Sequence, residues 1–286
     1  VWRDKGVSGW DWADILPVFR RIESDQDYPS SPFHGNSGPI SVSRRVKFDQ
    51  PMTGLERALT ETARLLGLPL CPDQNVPNPY GVSTPARCVK EGVRQSVVGG
   101  YLDPARSRPN LTIIPGARVR LLEVEGERVT AVRYEKDKII ETVAGDQVVL
   151  SAGVYQSPKI LLLSGIGPPA ELERHKIQVT LPKEGVGRNL QDHTAVYMSY
   201  EGTSDHHEDW IVAGVMLNLK SDQDLEYSNF QVNIRPPTQV EGLGQINSLA
   251  VRLLEQRNRG RVFLRSGDPN DLPEIEPNML EHPDDL

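Results

Sequence analysis

The chain has 286 residues, enough for one large domain or two ordinary ones, and no apolar run in it approaches the roughly 18 residues of a membrane span. With 37% hydrophobic and 25% charged residues it has the balance of a soluble globular protein rather than a disordered or fibrous one. Its net charge of −7 argues against a nucleic-acid groove or an anionic membrane surface as partner.

In chain order, apolar residues at helical spacing (Trp12, Ile15, Leu16, Phe19) predict a helix over 10–22, with Pro17 ending or kinking it. Residues 24–39 are polar, rich in Pro, Ser and Gly, and end in HGNSGP, which reads as a loop before a short strand over 40–42. The stripe Met52, Leu55, Leu59, Ala63, Leu66, with Gly67 beyond it, predicts the best helix of the chain over 50–66. After a Pro- and Asn-dense loop, a second helix is expected over 91–102. Short apolar runs at 111–114, 119–124, 128–134 and 139–142 then read as a strand meander, and 147–150 as a very apolar strand suited to a parallel sheet. From 195 onward, alternating segments (195–201, 210–219, 226–234, 247–255, 261–265) predict a separate antiparallel sheet. The expected fold class is therefore α/β plus α+β, with a nucleotide-domain segment over 110–193. A helical and loop part over 1–109 begins a second domain, whose antiparallel sheet fills 194–286.

The stretch SAGVYQSPKILLLSGIGPPA (151–170) contains Gly165, Gly167 and Ala170 at the G-x-G-x-x-G/A spacing of a dinucleotide-binding turn. That turn must follow a strand and open a helix. Here Ser157 and Pro158 read as the N-cap and first position of a helix over 159–164, with Gly165 as its stop, and Pro168 and Pro169 remove two N–H donors. GIGPPA is thus expected to be a helix stop. The small residues Ser151, Ala152 and Gly153, at the end of the apolar strand, are the better ligand neighbours, because they let backbone approach a ligand closely.

The longer run VVLSAGVYQSPKILLLSGIGPPAELERHKI resembles the second signature of the glucose–methanol–choline (GMC) flavin oxidoreductases, matching it at Gly153, Ser157, Pro158, Leu161, Leu162, Ser164, Gly165, Ile166 and Gly167. Further family-like pieces occur in the expected order: GWDWADILPVFRRIES (9–24), HGNSGPISV (34–42), GVRQSVVGGYLDPARSRPNLTIIPGARVRLL (92–122), VGRNLQDH (186–193) and RGRVFLRSGDPNDLPEIEPN (259–278). The resemblance implies an FAD-binding Rossmann-like domain interleaved with an antiparallel-sheet substrate domain. It implies that Val119 meets the FAD adenine through its backbone and that Ala152 and Gly153 line the FAD crevice. Asn189, Asp192 and His193 would lie toward the flavin. Read from pattern alone, Val119 is an ordinary strand core residue.

The implied reaction oxidises a small-molecule alcohol to an aldehyde or ketone by hydride transfer to flavin, with O₂ or a quinone as electron acceptor. The family's G-x-G-x-x-G and its C-terminal catalytic His have no counterpart in this sequence, and the chain neither starts with Met nor carries a signal-peptide pattern. It therefore reads as a piece of a longer protein, expected to be inactive alone and to retain no flavin. No catalytic residue is assigned: His282 lies in a polar, Pro-flanked tail. A non-catalytic binding domain on the same scaffold is the alternative.

Other candidates carry less. Asp205, His206, His207, Glu208 and Asp209 read as a solvated loop or cavity rim, since adjacent residues of a strand face opposite ways and no third ligand sits at helical spacing. Cys71 and Cys88 do not form C-x-x-C and read as reduced thiols, which favours a cytoplasmic setting. Asn110 begins a glycosylation sequon without a secretory segment, there is no G-x-S-x-G, and Trp2, Trp10 and Trp12 read as packing anchors.

Overall fold

The computed structural model describes residues 3–201 and 214–286. The cluster 205–209 and Trp2 lie outside them. In chain order the first stretch carries α1 (Trp12–Ile22), β1 (Glu23–Asp25), β2 (Ile40–Arg44), α2 (Gly54–Leu65), β3 (Leu70–Cys71), β4 (Gly81–Ser83), β5 (Ala86–Arg87), β6 (Val89–Lys90), β7 (Val93–Arg94) and α3 (Asp103–Ala105). The middle carries β8 (Arg118–Glu125), β9 (Arg128–Lys136), β10 (Ile139–Ala144), α4 (Gly153–Leu163), β11 (Ile166–Gly167), α5 (Pro169–Arg174), β12 (Leu181–Pro182) and β13 (Arg188–Leu190). The last stretch carries β14 (Ala195–Glu201), β15 (Met216–Leu219), β16 (Phe230–Val240), β17 (Gly244–Leu253), β18 (Gly260–Phe263) and β19 (Glu274–Glu276). These elements fall into two units: Val1–Leu111 with Ala195–Glu255, and Thr112–Thr194 with Gln256–Leu286.

The first unit is built on a six-stranded sheet of order β14-β17-β16-β15-β4-β3, in which only β3 and β4 run parallel. The β16–β17 register shifts between Arg235 and Thr238, where Pro236 and Pro237 lack ladder donors. On this sheet α2 buries Ala63 beside Val46, Val82, Val215 and Leu217, with Met52 and Leu59 packed against them. Glu56 opens α2 as a capping-box residue, one carboxylate oxygen accepting from Thr53 N at 3.2 Å. Its other oxygen accepts from Gly214 N at 2.9 Å and pairs with Arg45, so a fully buried charge is partnered. The expected stripe is shorter than its pattern, because Leu66 falls after the last helical turn and is 74% exposed.

Two further expectations for this unit are corrected. α1 runs through Pro17, because Asp11 caps its start by accepting from Asp14 N and the carbonyl of Ala13, denied a partner by the proline, is in an exposed residue. Trp10 and Trp12, expected as packing anchors, are instead 52% and 56% exposed. The helix expected over 91–102 begins instead as the hairpin β6–β7. Glu91 and Gly92 both take positive φ (50° and 78°), the two-residue turn whose twist matches a hairpin.

Between β1, β2 and the turn after β3 lies a buried charged cluster. Arg44 donates to both oxygens of Asp25 (3.0 and 2.9 Å) and to Asp73 (2.7 Å), with its guanidinium 4.5 Å from the centre of the Tyr28 ring. Buried His34 places Nδ1 2.9 Å from Glu23 and Nε2 2.8 Å from Asp73. A carboxylate on each ring nitrogen favours the doubly protonated ring over either neutral tautomer. Burial works against that charge, but the hydrogen bonds to Asp73 and Glu23 outweigh it and raise the pKa above the usual histidine value. A raised folded pKa gives stability that is complete below the unfolded value of about 6.5 and lost as pH rises through the folded one. We expect the urea midpoint of the first unit to fall between pH 6 and pH 9, and His34→Gln to remove most of that slope. A wild-type midpoint constant across that range would contradict the assignment.

The second unit holds the meander β8-β9-β10, which follows the runs predicted over 119–124, 128–134 and 139–142, whereas the run at 111–114 forms no strand; it also holds the parallel pair β11–β12 and the antiparallel sheet β13-β18-β19. The segment at 261–265 thus joins β13 and β19 rather than the large sheet. α4 packs Leu162 and Leu163 with Leu172 and Leu264.

Three readings change here. Residues 147–150 form no strand, and Val149 is 86% exposed, because no described residue lies alongside to complete a ladder. Among the described residues the parallel pairs are β1–β2, β3–β4 and β11–β12, so the mixed α/β character is present without an open parallel sheet. α4 starts at Gly153, with Ala152 and not Ser157 at the cap and Pro158 inside; Ser157 Oγ accepts from Ala152 N at 3.1 Å, fastening the first turn from within. GIGPPA is indeed a stop. Gly165 takes φ +76° after α4, and the backbone then enters buried β11 before Pro169 opens α5. The carbonyls of Gly165 and Gly167 are occupied by backbone donors of 180, 181 and 183, and a side chain on Gly167 would collide with Leu162. This turn is packed core rather than a phosphate cradle.

Candidate cofactor site

The second unit contains a cavity of about 580 Å³ between the start of β8, residues 149–152, α4 and the 269–272 turn. The local sequence explains its shape. A small cap residue, Ala152, leaves the N-terminus of α4 without a side-chain cap, and Gly153 takes φ +86° with open space where a side chain would stand. The walls are apolar, from Val119, Val149, Leu150, Ile160 and Leu163, and the rim carries Arg118, Lys159 and Asn270. Val119 is thus not a strand core residue: it is 36% exposed and lines this cavity.

Val119 and Ala152 meet on the one cavity, with Gly153 next to them at the helix start. Asn189, at φ +58°, lines a second cavity of about 400 Å³ with Val154, Pro158 and Gly187. Asp192 and His193 are exposed beyond β13 and line neither cavity; Asp192 accepts from the His193 backbone N at 2.8 Å.

Sequence reasoning missed the rim. Lys159 is only 7% exposed, and its Nζ donates to the Pro269 carbonyl at 2.8 Å. Burial and the nearby Arg118 hold its ammonium below the usual lysine pKa. Arg118 and Arg120 converge on Asn270 Oδ1 at 3.3 and 2.6 Å. The dense turn signal SGDPND (266–271) could have marked this loop, but no one-dimensional pattern places it against α4.

A cavity with apolar walls beside a helix start that lacks a side-chain cap, with cations at its edge, suits an aromatic base attached to an anionic tail. Comparisons with known proteins identify the family. Residues 1–195 match the family profile described as GMC oxidoreductase. The oxygen-dependent choline dehydrogenase of Brucella anthropi is 30% identical over 320 residues, covering 99% of this chain and 56% of that protein. The 5-(hydroxymethyl)furfural oxidase of Methylovorus sp. is 32% identical over 302 residues, covering 100% and 54%. The crystal structure of pyridoxine 4-oxidase from Mesorbium loti superposes with a TM-score of 0.85 at 27% identity, over 98% of this chain and 56% of that one. The chain thus spans about half the length of the relatives it matches. It belongs to the GMC oxidoreductase family.

Proposed function

We propose that this chain is part of an FAD-dependent oxidoreductase of a small alcohol, and that its second unit holds the adenosine end of the cofactor. The observation that carries the reading is the meeting of Val119 and Ala152 on one cavity. The apolar walls would take the adenine faces, the Val119 backbone its edge, and the start of α4 with Gly153 would leave room for the tail to pass. Asn189, Asp192 and His193 extend the same reading toward the flavin end. In this reading the large, mostly antiparallel sheet belongs to the substrate-binding part. The bound flavin would supply the hydride acceptor, with O₂ or a quinone taking the electrons onward. This chain's residues bind and orient; none is assigned a proton transfer. The named relatives act on choline, 5-(hydroxymethyl)furfural and pyridoxine, small molecules that each carry a primary alcohol.

Titration calorimetry of the purified chain with ADP, the adenine-bearing part of FAD, tests the site. Weak binding is expected, with Ala152→Leu lowering affinity at least about tenfold by filling the cavity, an effect of about 1.4 kcal/mol. The absence of any ADP binding up to about 1 mM, the weak limit of specific recognition, would overturn the proposal. Flavin absorbance in the protein as purified is not expected, since GIGPPA offers no pyrophosphate cradle.

A further inference from the structure

We infer that Lys159 is a positioning residue: it latches the loop over 266–272 onto α4 and so sets the wall against which an adenine ring would lie. This rests on the nucleotide reading of the cavity given above. The loop is braced within itself, Ser266 Oγ donating to Asp271 at 2.6 Å and the backbone N of Asn270 to Asp268 at 2.8 Å. It therefore moves as a piece, and its attachments decide where it stands. Two attachments come from β8, where Arg118 and Arg120 both reach Asn270 Oδ1. Those bonds are exposed, and water competes for them. The third is the Lys159–Pro269 bond, made by a lysine almost wholly shielded from solvent. Breaking it strands a buried ammonium, whereas Arg118 is exposed and Arg120, half-buried, keeps its 2.7 Å ion pair with Glu135 if it lets go.

Pro269, Asn270 and Leu272 face Val119 and Ala152 across the cavity, so the loop is one of its walls. Pro269 has no N–H of its own, which leaves its carbonyl as the polar backbone group that a latch can grip. The Lys159 ammonium is turned to that carbonyl, and the acidic side chains nearest it in the loop, Asp268 and Asp271, favour its charge. A lysine that held a ligand phosphate directly would act on charge alone. A latch acts on the shape of the slot.

Adenosine and ADP separate the two roles, since only ADP carries phosphate. Both are titrated calorimetrically into wild type, Lys159→Met and Lys159→Arg. The latch predicts that Lys159→Met weakens adenosine and ADP by the same factor, about tenfold for a lost charged hydrogen bond. Lys159→Arg, which can still donate to the Pro269 carbonyl, recovers most of the loss. Hydrogen exchange at 267–272 rises in Lys159→Met while β9 and β10 keep wild-type protection. Lys159→Gln, with a shorter neutral donor, is read in the same way if the methionine variant does not fold. A loss confined to ADP, or equal affinities in wild type and Lys159→Met, overturns the latch and leaves the nucleotide reading standing. If wild type binds neither ligand, the nucleotide reading falls and the latch with it.

Discussion

Arg44→Met is expected to destabilise the first unit by about 3–5 kcal/mol, the range for removing one partner of a buried ion pair. Domains have only about 5–15 kcal/mol in hand, so the variant should be partly unfolded at 37 °C or close to it. The reason lies in what remains. Arg44 donates to both oxygens of Asp25 and to Asp73, and its main-chain N–H donates to Asp27 at 2.6 Å. Methionine keeps much of the volume and the main-chain bond. It leaves Asp25, almost fully buried, with only the backbone donors of residues 27 and 28 and the His34 ring. Denaturant unfolding followed by far-UV circular dichroism reads the loss. Adding Asp25→Asn to Arg44→Met should recover part of it, because the stranded charge goes. A double variant no more stable than the single one would show that the loss comes from packing and not from charge.

Leu162→Ala is expected to cost the second unit about 2–5 kcal/mol. Leu162 is among the largest fully buried side chains and touches the core made with Leu163, Leu172 and Leu264. Two glycines, Gly167 and Gly187, give it room: a side chain on Gly167 would collide with it, and Gly187 is held against the Val262 carbonyl at φ +77°. Backbone that approaches this closely on both sides cannot collapse into the hollow that alanine leaves, which favours the upper end of the range. Leu65→Ala, at an exposed position of α2, is the matched control and should change stability by less than about 0.5 kcal/mol. Comparable losses in the two variants would sink the packing argument.

Much of the fold was legible wherever one element decides its own fate. The apolar stripe of α2 and the alternation of β8, β9, β14 and β17 are local patterns, and local physics satisfies them. The family resemblance, carried by fixed residue types around 151–170, was legible for the same reason. What could not be read depends on neighbours distant in sequence. Residues 147–150 have the composition of a buried strand, yet a strand needs something beside it. α4 begins earlier than its Ser-Pro signal because Ser157 bonds back to Ala152 from inside the helix. The cluster joining Glu23, Asp25, His34, Arg44 and Asp73 draws on four separate stretches, and nothing in the spacing of those residues announces it. Of the candidate site, Val119 and Ala152 came from the resemblance, while Lys159 and its loop became visible only in three dimensions.

The chain crosses between its two units three times, at 111/112, 194/195 and 255/256. This governs its history on the ribosome. β4 is made early, but its partner β15 arrives roughly 130 residues later, Ser83 waiting for Met216, and at about 5–20 residues per second that is a delay on the order of ten seconds. Throughout it, α2 has only part of a sheet to cover, and Val82 has Leu70 of β3 on one side but not yet Leu217 of β15 on the other. The nascent first unit is thus the stage most open to aggregation, and slowing translation between residues 111 and 216 should lower soluble yield rather than raise it.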